Sequence, residues 1–157
     1  MGYCVQQYQM VQGARSALLS YCSSISQVHL NSVLPEFGNR SMAALLLHVA
    51  DVYFGWLKEF ALGQQVIPFA ITADTNIHDI TNAFEEVDAL VAIFLEHFRH
   101  KEQEPVTGRL RNGNAYQATP FMLFTHVTTH EFHHKGQLLT MSRLLDYTPV
   151  DTDVIRF

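Results

Sequence analysis

The residues His-Glu-Phe-His-His at positions 130–134 constrain this chain more than any other feature. On a helix, His130 and His134 stand four residues apart, so both rings project from one face, about 6 Å apart along the axis. That separation allows both imidazoles to bind one divalent metal ion. The segment also matches the H-E-x-x-H pattern of zinc proteases.

Helical periodicity predicts that this helix buries its imidazoles and turns a polar side to water. An unpartnered buried polar group costs about 1–3 kcal/mol, so a cluster of rings needs partners. One metal ion can be the partner of several rings at once, which is the favoured interpretation. The alternative is hydrogen bonding among the rings, the backbone and buried water. The predicted buried side carries His126, His130, His133, His134 and Gln137 beside Met122, Leu123, Met141 and Leu144, and the predicted solvent side carries Thr128, Glu131, Lys135, Ser142 and Asp146.

Length and composition favour one soluble domain spanning residues 1–157. The chain is 48% hydrophobic with a formal net charge of −5, and its ten Lys and Arg residues are scattered, which argues against nucleic-acid binding. The longest apolar runs, such as 43–47, are far too short for a membrane span, and the first residues lack a signal-peptide pattern. We therefore expect a cytoplasmic protein without a membrane partner. Cys4 and Cys22, about 27 Å apart along one helix, are expected to be buried free thiols.

Four long segments carry helical periodicity, at about 3–27, 41–62, 76–100 and 120–146. Ser41 or Asn39 and the Thr119-Pro120 pair suit helix starts, and Asn112-Gly113 suits a tight turn within 108–117. The pattern predicts an all-α four-helix bundle. Arg15 lies within the apolar stripe of the first helix, where snorkelling to solvent is the favoured interpretation over pairing with a carboxylate or an anion.

The H-E-x-x-H match lacks the third ligand of a zinc protease. The extended protease motif would place Gly and His where this chain has Gln137 and Thr140, and no Glu follows Glu131. A ferritin-like di-iron site would need a second Glu-x-x-His, which the sequence lacks. Both of these metal-site classes are therefore disfavoured.

A third histidine ligand must come from another helix. His126 extends the column on its own helix, but it stands about 12 Å from His134, too far for one ion with bonds of about 2.1 Å. His48 lies in the middle of the second predicted helix, at the edge of its apolar stripe. This position suits a ligand at the rim of a groove, and it also suits a half-exposed histidine without a ligand role.

The run Leu-Phe-Thr-His-Val-Thr-Thr-His-Glu-Phe-His-His-Lys-Gly-Gln at 123–137, preceded by a histidine on the second helix, resembles the DinB/YfiT-like family of metalloenzymes. The resemblance covers essentially the whole chain. It implies a metal site formed by His48, His130 and His134, followed by a basic residue and Gly-Gln. It also implies an up-down-down-up bundle and a homodimer.

Three neutral histidines leave a divalent ion with open positions, as in catalytic sites. The donor set suits Zn, Ni, Mn or Fe without choosing among them. The resemblance implies a thiol-dependent S-transferase or isomerase that acts on a small molecule with a low-molecular-weight thiol such as bacillithiol, mycothiol or glutathione. The alternatives are a hydrolase that uses metal-activated water and a non-catalytic, stress-related dimeric bundle in which the metal serves stability.

The sequence does not identify catalytic residues beyond weak candidates. A solvated helix surface is the favoured interpretation for Glu131 over a role as a base. Gln137, His126 and His133 either orient ligand rings or pack against neighbours. Arg109 and Arg111 either clamp a substrate carboxylate or belong to a plain surface loop.

Overall fold

A computed structural model describes residues 2–110 and 112–156, so the hypothesis for Arg111 lies outside the described residues. The described part is mostly helical, with one small sheet. Its elements are α1 (Gly2–Cys22), α2 (Gln27–Leu30), a 3₁₀ turn (Pro35–Phe37), α3 (Met42–Tyr53), a π-helix (Phe54–Ala61), α4 (Ile77–His97), β1 (Val106–Arg109), β2 (Ala115–Ala118) and α5 (Pro120–Leu144).

Side-chain caps begin three of the long helices close to the predicted positions. The Ser41 hydroxyl accepts a hydrogen bond from the Ala44 amide, and Asn76 forms a capping box with Asp79. The Thr119 hydroxyl accepts from the Met122 amide, with Pro120 in the first turn. Each cap satisfies amides that have no partner within the helix, which is why these residue types mark helix starts.

Two helices depart from their predicted course. The first ends at Cys22, where the hydroxyls of Ser23 and Ser24 donate to the carbonyls of Ser20 and Tyr21 and compete with helical hydrogen bonds. The second helix widens into a π-helix at Phe54 and ends at Ala61, before Gly63 with φ 65°. A π-helix shifts every following side chain around the axis, so a 3.6-residue period cannot predict where those side chains point.

The long helices form a bundle around one hydrophobic core. Helix α3 packs against α4 and α5, and α1 packs against the same two helices. This arrangement confirms the all-α bundle in outline, while the up-down-down-up order and the homodimer stay predictions. Cys4 and Cys22 are buried free thiols, as expected, and burial raises the pKa of Cys22 to about 12. No helix within the described residues is long and apolar enough to cross a bilayer.

The predicted turn at Asn112-Gly113 joins two short antiparallel strands. Val106 pairs with Ala118 and Arg109 with Ala115, and Gly113 takes φ 84°. The hairpin lies against the π-helix at Gly108, where an added Cβ would stand 2.5 Å from the Phe60 ring. Only glycine allows this approach, which places the hairpin beside the side chains of the π-helix.

Four of the five residues predicted to face water from the last helix are buried, so the prediction was wrong for them; it was right for Asp146, which is exposed. Thr128, Glu131, Lys135 and Ser142 are all within the core, whereas Met122 and Leu144 on the predicted apolar side are half exposed. The polar groups find partners inside. The Thr128 and Ser142 hydroxyls donate to carbonyls of their own helix, and Lys135 Nζ donates to the Thr152 carbonyl at 2.6 Å.

Arg15 and Glu131 form a buried ion pair between α1 and α5. Arg15 Nε and one terminal nitrogen each donate to a carboxylate oxygen of Glu131 at 2.8 Å, and the Tyr53 hydroxyl donates to the same carboxylate at 2.6 Å. Arg15 also pairs with Asp88 on α4, which accepts a hydrogen bond from Tyr8. The favoured snorkelling of Arg15 was therefore wrong, and the carboxylate alternative is what the structure shows.

The surroundings of this cluster keep its members in defined charge states. Burial alone would lower the pKa of Arg15, but Glu131 raises it well above the usual value, so the guanidinium stays charged. Burial and the Glu131 charge raise the pKa of Tyr53, so its hydroxyl stays a donor. Each long helix thus contributes at least one residue to this hydrogen-bonded cluster, and α1 contributes both Arg15 and Tyr8.

Replacement of Arg15 by Met is expected to lower the free energy of unfolding by about 3–5 kcal/mol, because it leaves the Glu131 carboxylate buried without its counter-charge. The matched control is Arg99→Met, which breaks the exposed pair with Glu96 and should cost less than about 1 kcal/mol. Urea denaturation of the two variants measures both values. Equal losses would contradict the assignment of Arg15 as the central ion-pair partner.

Candidate metal centre

The structure brings together the three histidines predicted from the sequence. His48 projects from α3, and His130 and His134 project from neighbouring turns of α5. Each offers one ring nitrogen, and these atoms lie within 4.8 Å of one another. The ring centroids are 5.4 Å apart for His48 and His130, 5.1 Å for His48 and His134, and 4.3 Å for His130 and His134. Helices distant in sequence therefore present a compact three-nitrogen cluster.

His130 supplies a test of whether a cation fits this cluster. Its Nε2 atom is buried and has no hydrogen-bond partner within the described residues. A buried nitrogen in that state costs free energy unless something binds it. A cation among the three rings would satisfy it, and neutral imidazole nitrogen is a common ligand of divalent transition metals.

The charge state of the rings also fits a metal ion. Burial, followed by the neighbouring imidazoles, lowers the pKa of His130 to about 4. Burial also lowers the pKa of His134, although its hydrogen bond to Gln137 acts in the opposite direction. Both rings are therefore neutral near pH 7, so their lone pairs do not need to lose a proton before they bind a cation.

Gln137 fixes the orientation of one ring. His134 Nδ1 lies 2.7 Å from Gln137 Oε1, an atom that can only accept, so Nδ1 carries the proton. The lone pair of His134 is then on Nε2. The Gln137 amide nitrogen in turn lies 3.3 Å from His133 Nε2, to which it donates. Gln137 thus has the position of a residue that orients a metal ligand through its second nitrogen.

The other histidines of α5 lie at the rim of this cluster. His126 and His133 are exposed, which corrects the prediction that all four rings share a buried side. The His126 ring is 5.8 Å from His130 and 5.1 Å from Trp56. Of the described residues, only His48, His130 and His134 form a group with metal-ligand geometry.

Glu131 points away from the histidines and into the core. Its two oxygens accept hydrogen bonds from Arg15 and Tyr53, and the residue is buried. The solvated role favoured for it was wrong. Its carboxylate is occupied by the ion pair, so it lacks the position of the base in the zinc-protease motif.

A pocket of about 240 Å³ opens beside His48. Arg109 lines it, and one of the terminal nitrogens of Arg109 donates to the Gly113 carbonyl at 3.0 Å. We refer to this cavity as the polar pocket, because Asp51 and Glu59 also line it. Arg109 was a candidate from the sequence, whereas Asp51, Glu59 and Trp56 were not predicted as site residues. Trp56 and Glu59 lie on the π-helix, where the 3.6-residue period fails.

Comparison with known proteins supports the resemblance stated above. The model of the DinB family matches residues 1–157. The chain is also similar to the uncharacterized protein YizA of Bacillus subtilis (strain 168), with 25% identity over 120 residues, which cover 75% of this chain and 73% of that protein.

Replacement of His130 by Ala is expected to weaken zinc binding by more than about 100-fold, because it removes one of three ligands, a larger change than loss of a supporting residue. His48→Ala should have a similar effect. His97→Ala is the matched control, since His97 is exposed on α4 and lies outside the cluster. Competition with a chromophoric chelator measures the affinities. Unchanged zinc affinity in His48→Ala would exclude that residue as a ligand.

Replacement of Gln137 by Leu is expected to weaken zinc binding by about 10- to 100-fold, because His134 loses the acceptor that fixes its tautomer. Gln137→Glu keeps an acceptor oxygen for Nδ1 and should recover most of the affinity. The same chelator competition compares the two variants. Equal weakening in both would show that the residue acts through packing rather than through this hydrogen bond.

Proposed function

Because the chain belongs to the DinB family, we propose that it is a metal-dependent enzyme that transfers or isomerises a small molecule with the help of a low-molecular-weight thiol. The observation that carries this proposal is the convergence of His48, His130 and His134 next to an open pocket. Three protein ligands leave coordination positions free for water or substrate, whereas structural zinc sites use four.

The three histidines would hold the ion, and Gln137 would keep the His134 ring oriented for binding it. A bound divalent ion lowers the pKa of a thiol or water molecule beside it and so provides a nucleophile near pH 7. In the proposed transfer, the thiolate sulfur forms a bond to an electrophilic carbon of the substrate. The leaving group departs with the bonding electrons, and the proton of the thiol passes to water.

The polar pocket suits the thiol cosubstrate. The Arg109 guanidinium has donors beyond the one used by Gly113 and can pair with a carboxylate. Asp51 and Glu59 line the same cavity and can pair with an amino group, although one oxygen of Asp51 already accepts from the Phe69 amide at 3.0 Å. A small thiol that carries both charges fits this arrangement better than an uncharged one.

The proposal makes a direct prediction for turnover. Protein loaded separately with Zn, Ni, Mn or Fe is incubated with 1-chloro-2,4-dinitrobenzene and with glutathione, bacillithiol or mycothiol, and thioether formation is followed by absorbance. We expect turnover with at least one combination of metal and thiol. With that combination, His130→Ala is expected to lower the rate by about 100-fold or more, which corresponds to about 2.7 kcal/mol of transition-state stabilisation. His97→Ala should leave the rate unchanged.

The same samples separate the alternative functions. Hydrolysis of 4-nitrophenyl acetate that needs the metal but no thiol would favour a hydrolase and contradict thiol transfer. Loss of helical circular dichroism on chelation, without any turnover, would favour a metal with a purely structural role. An active enzyme should instead lose turnover on chelation and keep its fold, since the Arg15–Glu131 pair and the core hold the helices independently of the ion.

A further inference from the structure

A second cavity of about 300 Å³ lies next to the histidine cluster, and we call it the apolar pocket. Three elements form its walls. The π-helix contributes Trp56, the hairpin contributes Tyr116 and Ala118, and the start of α5 contributes Met122 and His126. Leu110 and Leu123 complete the lining. The volume is at the lower end of the range for small-molecule sites, and it is concave rather than a flat helix face.

Aromatic contacts hold the walls of the apolar pocket in place. The Phe60 ring lies 5.3 Å from Trp56 and 6.2 Å from Tyr116, and it occupies the space left by Gly108 on the hairpin. The hairpin and the π-helix are therefore joined through one ring. A site formed in this way is largely shaped before any ligand arrives, which lowers the entropy lost on binding.

Trp56 separates the apolar pocket from the polar pocket, since Trp56 and Leu110 line both cavities. His48 lies on the polar side. On the apolar side, the His126 ring is 5.1 Å from Trp56 and 5.8 Å from the ligand candidate His130. The polar pocket thus reaches the histidine cluster through His48, and the apolar pocket borders it through His126, so two reactants could approach the cluster from different sides.

The lining of the apolar pocket defines the chemistry of its ligand. None of the described residues that line it carries a permanent charge, in contrast to Arg109, Asp51 and Glu59 on the other side. Met122 is 51% exposed and Tyr116 is 43% exposed, so part of the apolar wall of the pocket is in contact with water and a ligand could cover it. Covering it gains about 25 cal/mol per Å², whereas an ionic group would lose its hydration without a partner.

We propose that the apolar pocket binds the uncharged, ring-sized apolar group of the electrophilic substrate, while the thiol occupies the polar pocket. The role of this ligand as a substrate rests on the proposed function; the binding itself depends only on the walls of the pocket. The substrate class that follows is a neutral aryl, benzyl or alicyclic electrophile, and substrates with a charged group at that position are excluded.

Trp56 is the one tryptophan of the chain, so its indole N–H gives a single assigned reporter in a ¹H–¹⁵N spectrum. Benzyl alcohol is titrated into zinc-loaded and metal-free protein, with benzoate at equal concentrations as the charged counterpart. Benzyl alcohol is expected to shift the Trp56 signal saturably in both samples. In the metal-free sample, benzoate should bind at least about tenfold more weakly, because without the ion its carboxylate lacks a partner in the apolar pocket.

Variants of the walls test the location. Met122→Glu places a carboxylate at the rim and is expected to weaken benzyl alcohol binding by about tenfold. The matched control is Met10→Glu, an equally exposed methionine on α1 that lines neither pocket. Tyr116→Ser removes part of a wall on a different element and should also weaken binding, which guards against a local folding effect on α5.

Two results would overturn the inference: a Trp56 signal that does not respond to benzyl alcohol, or equal affinities of Met122→Glu and Met10→Glu. Failure of the proposed function has a different signature. In that case the Trp56 signal still shifts and still depends on Met122, but no metal and thiol combination gives turnover.

Discussion

The ion pair between Arg15 and Glu131 determines how the last helix sits in the bundle. A carboxylate and a guanidinium are both costly to bury alone, and here each satisfies the other through two hydrogen bonds while Tyr53 supplies a third donor to the carboxylate. Asp88 completes the cluster from α4. Because the cluster joins residues of all four long helices, any rotation of α5 about its axis would break a buried charge pair. We infer that this cluster sets the rotation of α5.

The rotation of α5 in turn determines which face carries the histidines. With Glu131 turned inward, His130 and His134 point toward α3, where His48 completes the three-nitrogen cluster. The neighbouring residues of the H-E-x-x-H pattern therefore serve two purposes on two sides of one helix. The acidic residue stabilises the core, and the histidines form the candidate metal centre. The residue that would act as the base in the protease motif is part of the ion pair instead.

Much of this arrangement could be predicted from the sequence, and the failures have physical reasons. The helix caps at Ser41, Asn76 and Thr119 and the Asn-Gly turn depend on neighbouring residues alone, so the sequence predicts them. The three-histidine set came from family resemblance, since spacing alone left His48 undecided. The orientation of Glu131 was missed because a charged residue was assigned to solvent. Phe124 and Leu138, seven residues to either side, share its face and are buried, and that heptad spacing was the available signal. The π-helix and the pockets beside it depend on tertiary contacts that no local pattern encodes.

The most direct test of the account is the coordination of the bound ion, measured by X-ray absorption at the zinc edge on the zinc-loaded protein. We expect three imidazole nitrogens at about 2.0–2.1 Å and one or two exchangeable oxygen ligands. The imidazole contribution should fall to two rings in His48→Ala. Four protein ligands in a closed shell, or fewer than three imidazoles in the unmodified protein, would contradict the proposal of an open three-histidine site.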